Sequence, residues 1–222
     1  YGFDRLLYGC TQFRTATSLG DPDDFIILTN HAPDYIDGFV HSGLFFHGPM
    51  VRWSLENDGA CSWSHLAERL AADDFSDAER AVIAFNRKHG VTAGYSISFK
   101  SLRPRMKAAI ALTARAGLSQ AEVDAHWQIH GAEILALNAV AHRCILSLPY
   151  ESPKRPLTDR QREVLGWVGD GKTVQDIAML MGLTPATVDK HLRLARHALS
   201  VETTAQAVLK AAFQNQIFVL YR

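Results

Sequence analysis

Beyond residue 157 the apolar positions recur at helical spacing throughout. Val164, Leu165 and Val168 make one face, and Val174, Ile177, Ala178 and Met181 make a second. Val188, Leu192, Ala195 and Leu199 fall at intervals of four, three and four. A last run reaches Phe213 and Ile217. Polar residues and glycines between these runs set the helix ends. Thr158 with Gln161, and Thr203 with Gln206, have the spacing of a capping box. Thr173 and Thr184 stand where N-caps are needed. Pro185 follows in a first turn, where its missing N–H costs little. Gly169, Gly171 and Gly182 stop the helices. The pattern predicts four short helices joined by tight turns.

Upstream the periods mix. Residues 23–29 (DDFIILT), 91–99 (VTAGYSISF) and 106–115 (MKAAIALTAR) read as strands. Residues 65–90 have helical spacing with a break near Phe75. Ser76 and Glu79 there match a capping box, and Gly90 closes the run. Residues 119–148 predict a long helix with Val123, Trp127, Ile134, Leu137, Ala141 and Ile145 as its apolar positions. Strands with helices on both sides predict an α/β/α sandwich able to enclose a pocket. The whole chain is then α+β, a sandwich followed by an all-α four-helix unit.

Between the two patterns lies SLPYESPKRP, 147–156, which holds three of the eight prolines. Proline lacks a backbone donor and restricts the residue before it, so helices end there. The expected organisation is a domain over 1–148, a linker over 149–156 and a domain over 157–222. Charge follows the same division. Residues 154–222 carry ten Lys or Arg against six Asp or Glu, whereas 1–153 carry thirteen against seventeen. The zero net charge therefore hides a basic module attached to an acidic one, as in proteins that bind nucleic acid through one part.

Other classes find little support. No apolar run approaches the ~18–20 residues of a membrane span, so no membrane partner is expected, and the scattered cysteines fit a reducing, cytoplasmic location. Cys10, Cys61 and Cys144 are odd in number and scattered, which argues against a disulfide framework. His126 and His130 lie one helical turn apart, but HWQIH lacks a metalloprotease glutamate and no third ligand follows, so no metal is expected. No nucleophile elbow or phosphate loop is present. Neither a catalytic residue nor a cofactor is predicted, and an enzyme is not expected. The chain begins with Tyr1, so preceding residues, with any targeting segment, are expected to exist outside it.

The helix, glycine turn and helix at 171–199 follow the helix-turn-helix plan, in which the second helix enters the major groove. Periodicity alone leaves an ordinary helical bundle with a solvated basic face as an equal alternative. The residues decide between them. Leu157–Thr158, Arg160, Glu163–Val164–Leu165, Gly171–Lys172, Ile177–Ala178, Thr187–Val188, His191–Leu192 and Leu199 together resemble the DNA-binding domain of the LuxR family of bacterial transcription factors. That resemblance implies double-stranded DNA with a palindromic operator as partner. It points to Lys172, Thr184, Thr187, Lys190, His191 and Arg193 as candidate contacts. There are departures. Gln161 replaces a usual Glu, Ala198 a usual Lys and Thr204 a usual Arg, and Asp189 stands where the family presents Lys or Arg. The last three remove favourable phosphate contacts. Asp189 can still accept from a cytosine amino group.

The front part is no phosphoreceiver, because its acidic run DPDDF precedes its strand. Gly2–Phe3–Asp4, Tyr8–Gly9, TNHAPDYIDGF, Pro49, Trp63–Ser64 and Gly94 instead resemble the autoinducer-binding domain of quorum-sensing LuxR proteins. The resemblance implies an acyl-homoserine lactone pocket in which Trp, Tyr, Asp-Pro and Trp follow at fixed spacing. Here that spacing is occupied by Tyr35, Phe39, Gly48–Pro49 and Trp63. Tyr35 keeps a donor, Phe39 has none and Gly48 has no side chain. A lost partner in a buried site costs about 1–3 kcal/mol. Ordinary lactones are therefore expected to bind weakly, and a non-lactone ligand, or none, becomes an alternative. His47 either fills the missing acceptor role or faces solvent. Gly94 and Ser96 complete the candidate pocket, while Phe39 and Trp63 are either pocket residues or plain core aromatics. The helix-turn-helix plan also implies a homodimer, whose two recognition helices read half-sites, with 119–148 and 204–219 as candidate dimer surfaces. A heterodimerising modulator of other LuxR-type regulators is the alternative.

Overall fold

The computed structural model describes residues 1–15, 18–72, 74–101, 103–150 and 156–218. It divides into two compact units, Tyr1–His142 and Arg143–Arg222. Of the linker expected at 149–156, residues 151–155 lie outside the described residues.

In the first unit, β1 (Phe3–Thr11), β2 (Ile26–Thr29), β3 (Gly59–Ser62), β4 (Gly94–Phe99) and β5 (Lys107–Ala114) form one sheet in the order β2-β1-β5-β4-β3. Every neighbouring pair is antiparallel. β4 and β5 lie within the segments expected to be strands. β2 is shorter than expected, because Pro22 opens a 3-10 turn, Pro22–Asp24, whose N-cap Asp21 accepts from the Asp23 N–H at 3.0 Å. β1 and β3 were not expected as strands. β1 sets Leu6 and Leu7 side by side where alternation should separate them, and β3 has only four residues, two of them Gly59 and Ala60.

Side chains alternate across this sheet, so each face has its own set. On one face Leu7, Ala111 and Ser96 lie in register, as do Gly9, Ala109 and Ser98. On the other face are Tyr8, Ile110 and Ile97. That second face is covered by α5 (Gln120–Ser147). Tyr95 stacks on Trp127 at 3.8 Å and Phe99 on His142 at 4.2 Å, while the Tyr8 hydroxyl meets His142 Nδ1 at 2.9 Å. β4 is buried along its whole length. The outer side of α5 stays exposed although it is apolar. Ala125, Ile129, Ala132, Ala136 and Val140 form a stripe there, with Ile129 at 75% exposure.

The first face is covered by α1 (Pro33–Ile36), which winds into a wider π turn at Asp37–His41, and by α2 (Pro49–Glu56), α3 (Ser64–Ala71) and α4 (Asp77–Lys88). α4 starts at the expected capping box. Ser76 accepts from the Glu79 N–H, and Glu79 accepts in return from the Ser76 N–H at 2.9 Å. Arg69 ties α3 to this corner, pairing with Asp74 at 3.0 Å and Glu79 at 3.3 Å and lying over the Phe75 ring.

The second unit contains α6 (Asp159–Gly169), α7 (Val174–Met181), α8 (Pro185–Ala198) and α9 (Thr204–Phe213). Thr158, Thr173, Thr184 and Thr203 each cap one of them by accepting a backbone N–H. Gly182 ends α7 with φ +64°, a left-handed turn that glycine enters without cost. Val164, Leu165, Ile177, Val188 and Ala195 are fully buried and form the core, as the spacing predicts. After α9, Asn215 donates from Nδ2 to the Leu146 and Leu148 carbonyls at 2.7 and 3.0 Å. Among the described residues no helix is long and apolar enough to cross a membrane.

Candidate functional site

Between the sheet and the α1–α4 layer lies a cavity of about 370 Å³. Its floor is Leu7, Gly9, Ala109, Ala111 and Ser96, small or slim residues that leave room above them. Its roof is mostly apolar, with Phe45, Met50, Val51 and Leu66 prominent. Tyr35 and Phe39, four residues apart on one helical face, both reach it and stack at 5.3 Å. His31 extends the stack, with its ring 4.4 Å from Tyr35. Trp63 lines the cavity too, and its indole N–H donates to Ser96 Oγ at 3.0 Å.

The cavity's donors are turned onto the protein's own acceptors. The Tyr35 hydroxyl donates to Asn86 Oδ1 at 3.0 Å. Lys107 donates to Asp58 at 2.7 Å and to the Asn57 carbonyl at 2.8 Å. Burial pushes His31 down to about 4, with the nearby Arg5 charge adding to the effect, so its imidazole is neutral near pH 7. Burial likewise holds the Tyr35 hydroxyl protonated. Among the described lining residues, Arg87 and Lys107 are the charged groups, and none is a carboxylate.

The remaining candidate ligand residues sit elsewhere. His47 ends the 3-10 turn Leu44–His47, is exposed and does not line the cavity. Gly48 is buried at the N-cap of α2 and also does not line it; a Cβ there would stand 3.1 Å from the Phe45 carbonyl. Gly94 does not line it either, but it shapes it. A Cβ on Gly94 would lie 2.2 Å from the Leu112 carbonyl and 2.9 Å from the Trp63 ring. Glycine lets the indole approach β4 closely. Gly94→Ala is therefore expected to cost about 1–3 kcal/mol or more, on the scale of an overpacked core; thermal unfolding with no loss would show that the Leu112 carbonyl and Trp63 are both free to shift. His31, Asn86 and Lys107 were not singled out from the sequence. Of these only His31 had a signal, its helical spacing of four from Tyr35.

The second candidate surface is on α8. Lys190 and Arg193 are exposed and line an open groove with Lys172, Thr173, Ala186 and Arg196. Arg196 was not among the candidates; it donates to Thr204 Oγ1 at 3.1 Å. The remaining candidates lie beside this groove. Thr184 and Thr187 have their hydroxyls 2.9 Å apart, and Thr184 accepts the Thr187 N–H. These two build the start of the helix. His191 is half-buried, and its Nδ1 is shielded with no hydrogen-bond partner among the described residues. Asp189 is exposed within the groove.

Comparison with known proteins agrees with this division. A family described as "Autoinducer binding domain" matches residues 1–145, and one described as "Bacterial regulatory proteins, luxR family" matches residues 155–211. Among curated proteins, the chain is similar to transcriptional activator protein SolR of Ralstonia solanacearum, 28% identical over 211 residues, covering 95% of this chain and 84% of that protein. It is also similar to transcriptional activator protein AhyR of Aeromonas hydrophila, 23% identical over 186 residues, covering 83% of this chain and 71% of that one. Among solved structures, SdiA of Escherichia coli is 16% identical, with a TM-score of 0.48 over 96% of this chain and 84% of that one.

Proposed function

The chain belongs to the luxR family of bacterial regulatory proteins with an autoinducer-binding domain, and on that premise we propose that its cavity is a small-molecule sensor controlling α8. It is a DNA-binding transcriptional regulator. We propose that it acts in the cytoplasm as a homodimer, by binding and not by catalysis, on a palindromic operator. Two copies of α8 then read half-sites about one turn of duplex, ~34 Å, apart. The apolar stripe on α5 supports the pairing, since a monomer gains nothing from exposing it. Lys172, Lys190 and Arg193 are the proposed DNA contacts. Thr184 and Thr187 support the helix that carries two of them, and His191 stands beside it.

The observation that carries the sensor reading is the mostly apolar cavity beneath Tyr35 and beside Trp63. Its lining also argues about the ligand. An acyl-homoserine lactone has an amide N–H, and no described lining residue offers a carboxylate to it. Phe39 has no hydroxyl for a ligand carbonyl. We propose an apolar-tailed effector held by Tyr35, Trp63 and Ser96, with Gly94 shaping the site. An ordinary lactone is a poor fit.

Thermal unfolding against lactones of graded chain length, with aryl analogues beside them, tests this. A ligand at ~100 times its dissociation constant adds about 2.7 kcal/mol. At one common concentration, lactones are expected to produce a much smaller shift than an aryl or other amide-free ligand. A full shift with one lactone would overturn the claim about the missing acceptor. The heterodimerising modulator has no comparable observation behind it. The curated relatives named above are called activators, and the groove on α8 keeps its exposed cations.

A further inference from the structure

We propose that Asp189 is a specificity-determining residue that selects cytosine at one symmetric position of the operator, by accepting from the base's exocyclic amino group. This rests on the reading of α8 as the recognition helix. The placement is the first observation. Asp189 lies three residues after Ala186 and four before Arg193, so the three share one face of α8, and all line the same groove. It is in the second turn of the helix. In helix-turn-helix docking the N-terminal part of the recognition helix meets base edges.

Its lack of a partner is the second observation. Asp189 is exposed and makes no side-chain hydrogen bond or ion pair with any described residue. Arg193 is at the favourable i+4 position, and Lys190 is adjacent, yet neither is drawn to it. By contrast, two carboxylates on the neighbouring α6 are paired, Asp159 with Arg162 at 2.8 Å and Glu163 with Arg160 at 2.8 Å. No side-chain partner in the described fold therefore holds Asp189.

Charge supplies the remaining step. Lys172, Lys190, Arg193 and Arg196 surround the groove, and phosphates will approach them. A carboxylate among those cations repels every phosphate, so it lowers affinity for all duplexes alike. It recovers that loss only where a donor faces it. The major groove offers two such donors, the amino groups of cytosine and of adenine. Adenine sets an acceptor, N7, beside its amino group, and an acceptor repels a carboxylate. An amide side chain suits adenine, because it both donates and accepts. Aspartate is acceptor-only and so favours cytosine.

Selection from a pool of random duplexes with the full chain tests this, comparing the protein with Asp189→Ala and Asp189→Asn. The unchanged protein is expected to enrich a palindrome with cytosine at one position in each half-site, preferred by about tenfold. Asp189→Ala should lose that preference alone and bind unrelated duplexes more tightly. Asp189→Asn should move the preference to adenine at the same position. If all three proteins enrich the same sequence, Asp189 reads no base and the proposal fails. A wild-type protein that enriches no duplex overturns instead the reading of α8 as the recognition helix. The Asn variant also separates base reading from a merely structural effect, since a damaged helix would weaken every position and switch none.

Discussion

Trp63→Ala is expected to destabilise the first unit by about 3–5 kcal/mol, the usual range for removing a buried large aromatic. Three losses combine. Trp63 is only 9% exposed, so its apolar area returns to water. Its indole donor to Ser96 disappears and leaves that hydroxyl, itself 2% exposed, without the bond. The void also merges with an existing cavity of about 370 Å³, which leaves the neighbours little to collapse onto. A melting temperature of the first unit lower by about 10 °C or more should follow. A loss under about 1 kcal/mol would mean that the ring does not pack where the structure puts it. Gly94 supplies a sharper check. Once the indole is gone, part of the penalty for Gly94→Ala goes with it, so the two substitutions together should cost less than their sum.

Lys190→Ala combined with Arg193→Ala is the second large effect, and it falls on DNA. Each lost contact of this kind costs about 1–3 kcal/mol, so the pair should weaken operator binding by roughly thirtyfold to a thousandfold or more. Where both contacts go to phosphates, the slope of log affinity against log salt should become shallower by about two. Both side chains are exposed, so stability should stay within about 0.5 kcal/mol of the unchanged protein. Binding measured at several salt concentrations checks all three points. Unaltered binding would remove α8 as the recognition helix.

The helical unit was legible because its signals are local. A threonine with a Gln or Asp three residues on fixes a helix start within a single turn, and Thr158, Thr173 and Thr203 behave that way, while Gly182 fixes the end of α7. The sheet was legible only in part. β1 is held chiefly by β5, about a hundred residues away, where Leu7 faces Ala111. Nothing near Leu7 records that partner, and the adjacent Leu6 blurs the alternation that would have marked a strand. The cavity was read through the spacing of Tyr35, Phe39 and Trp63, and the structure brings these three to it. That spacing could not show that His47 turns outward at the end of a 3-10 turn, nor that Lys107 enters the cavity from a strand with its charge already paired to Asp58.

Under the proposed pairing, the exposed stripe on α5 makes abundance a second input. Pairing through Ala125, Ile129, Ala132, Ala136 and Val140 is a bimolecular step, so the number of pairs rises with the square of the free protomer concentration while protomers predominate. Mass action then couples folding to expression level, because whatever binds only the folded form also stabilises it. Dilution would act as loss of effector does, returning α8 to solitary copies that each hold half an operator weakly. Under that pairing, halving the free protomer would cut the pairs to about a quarter, with no change in the signal at all.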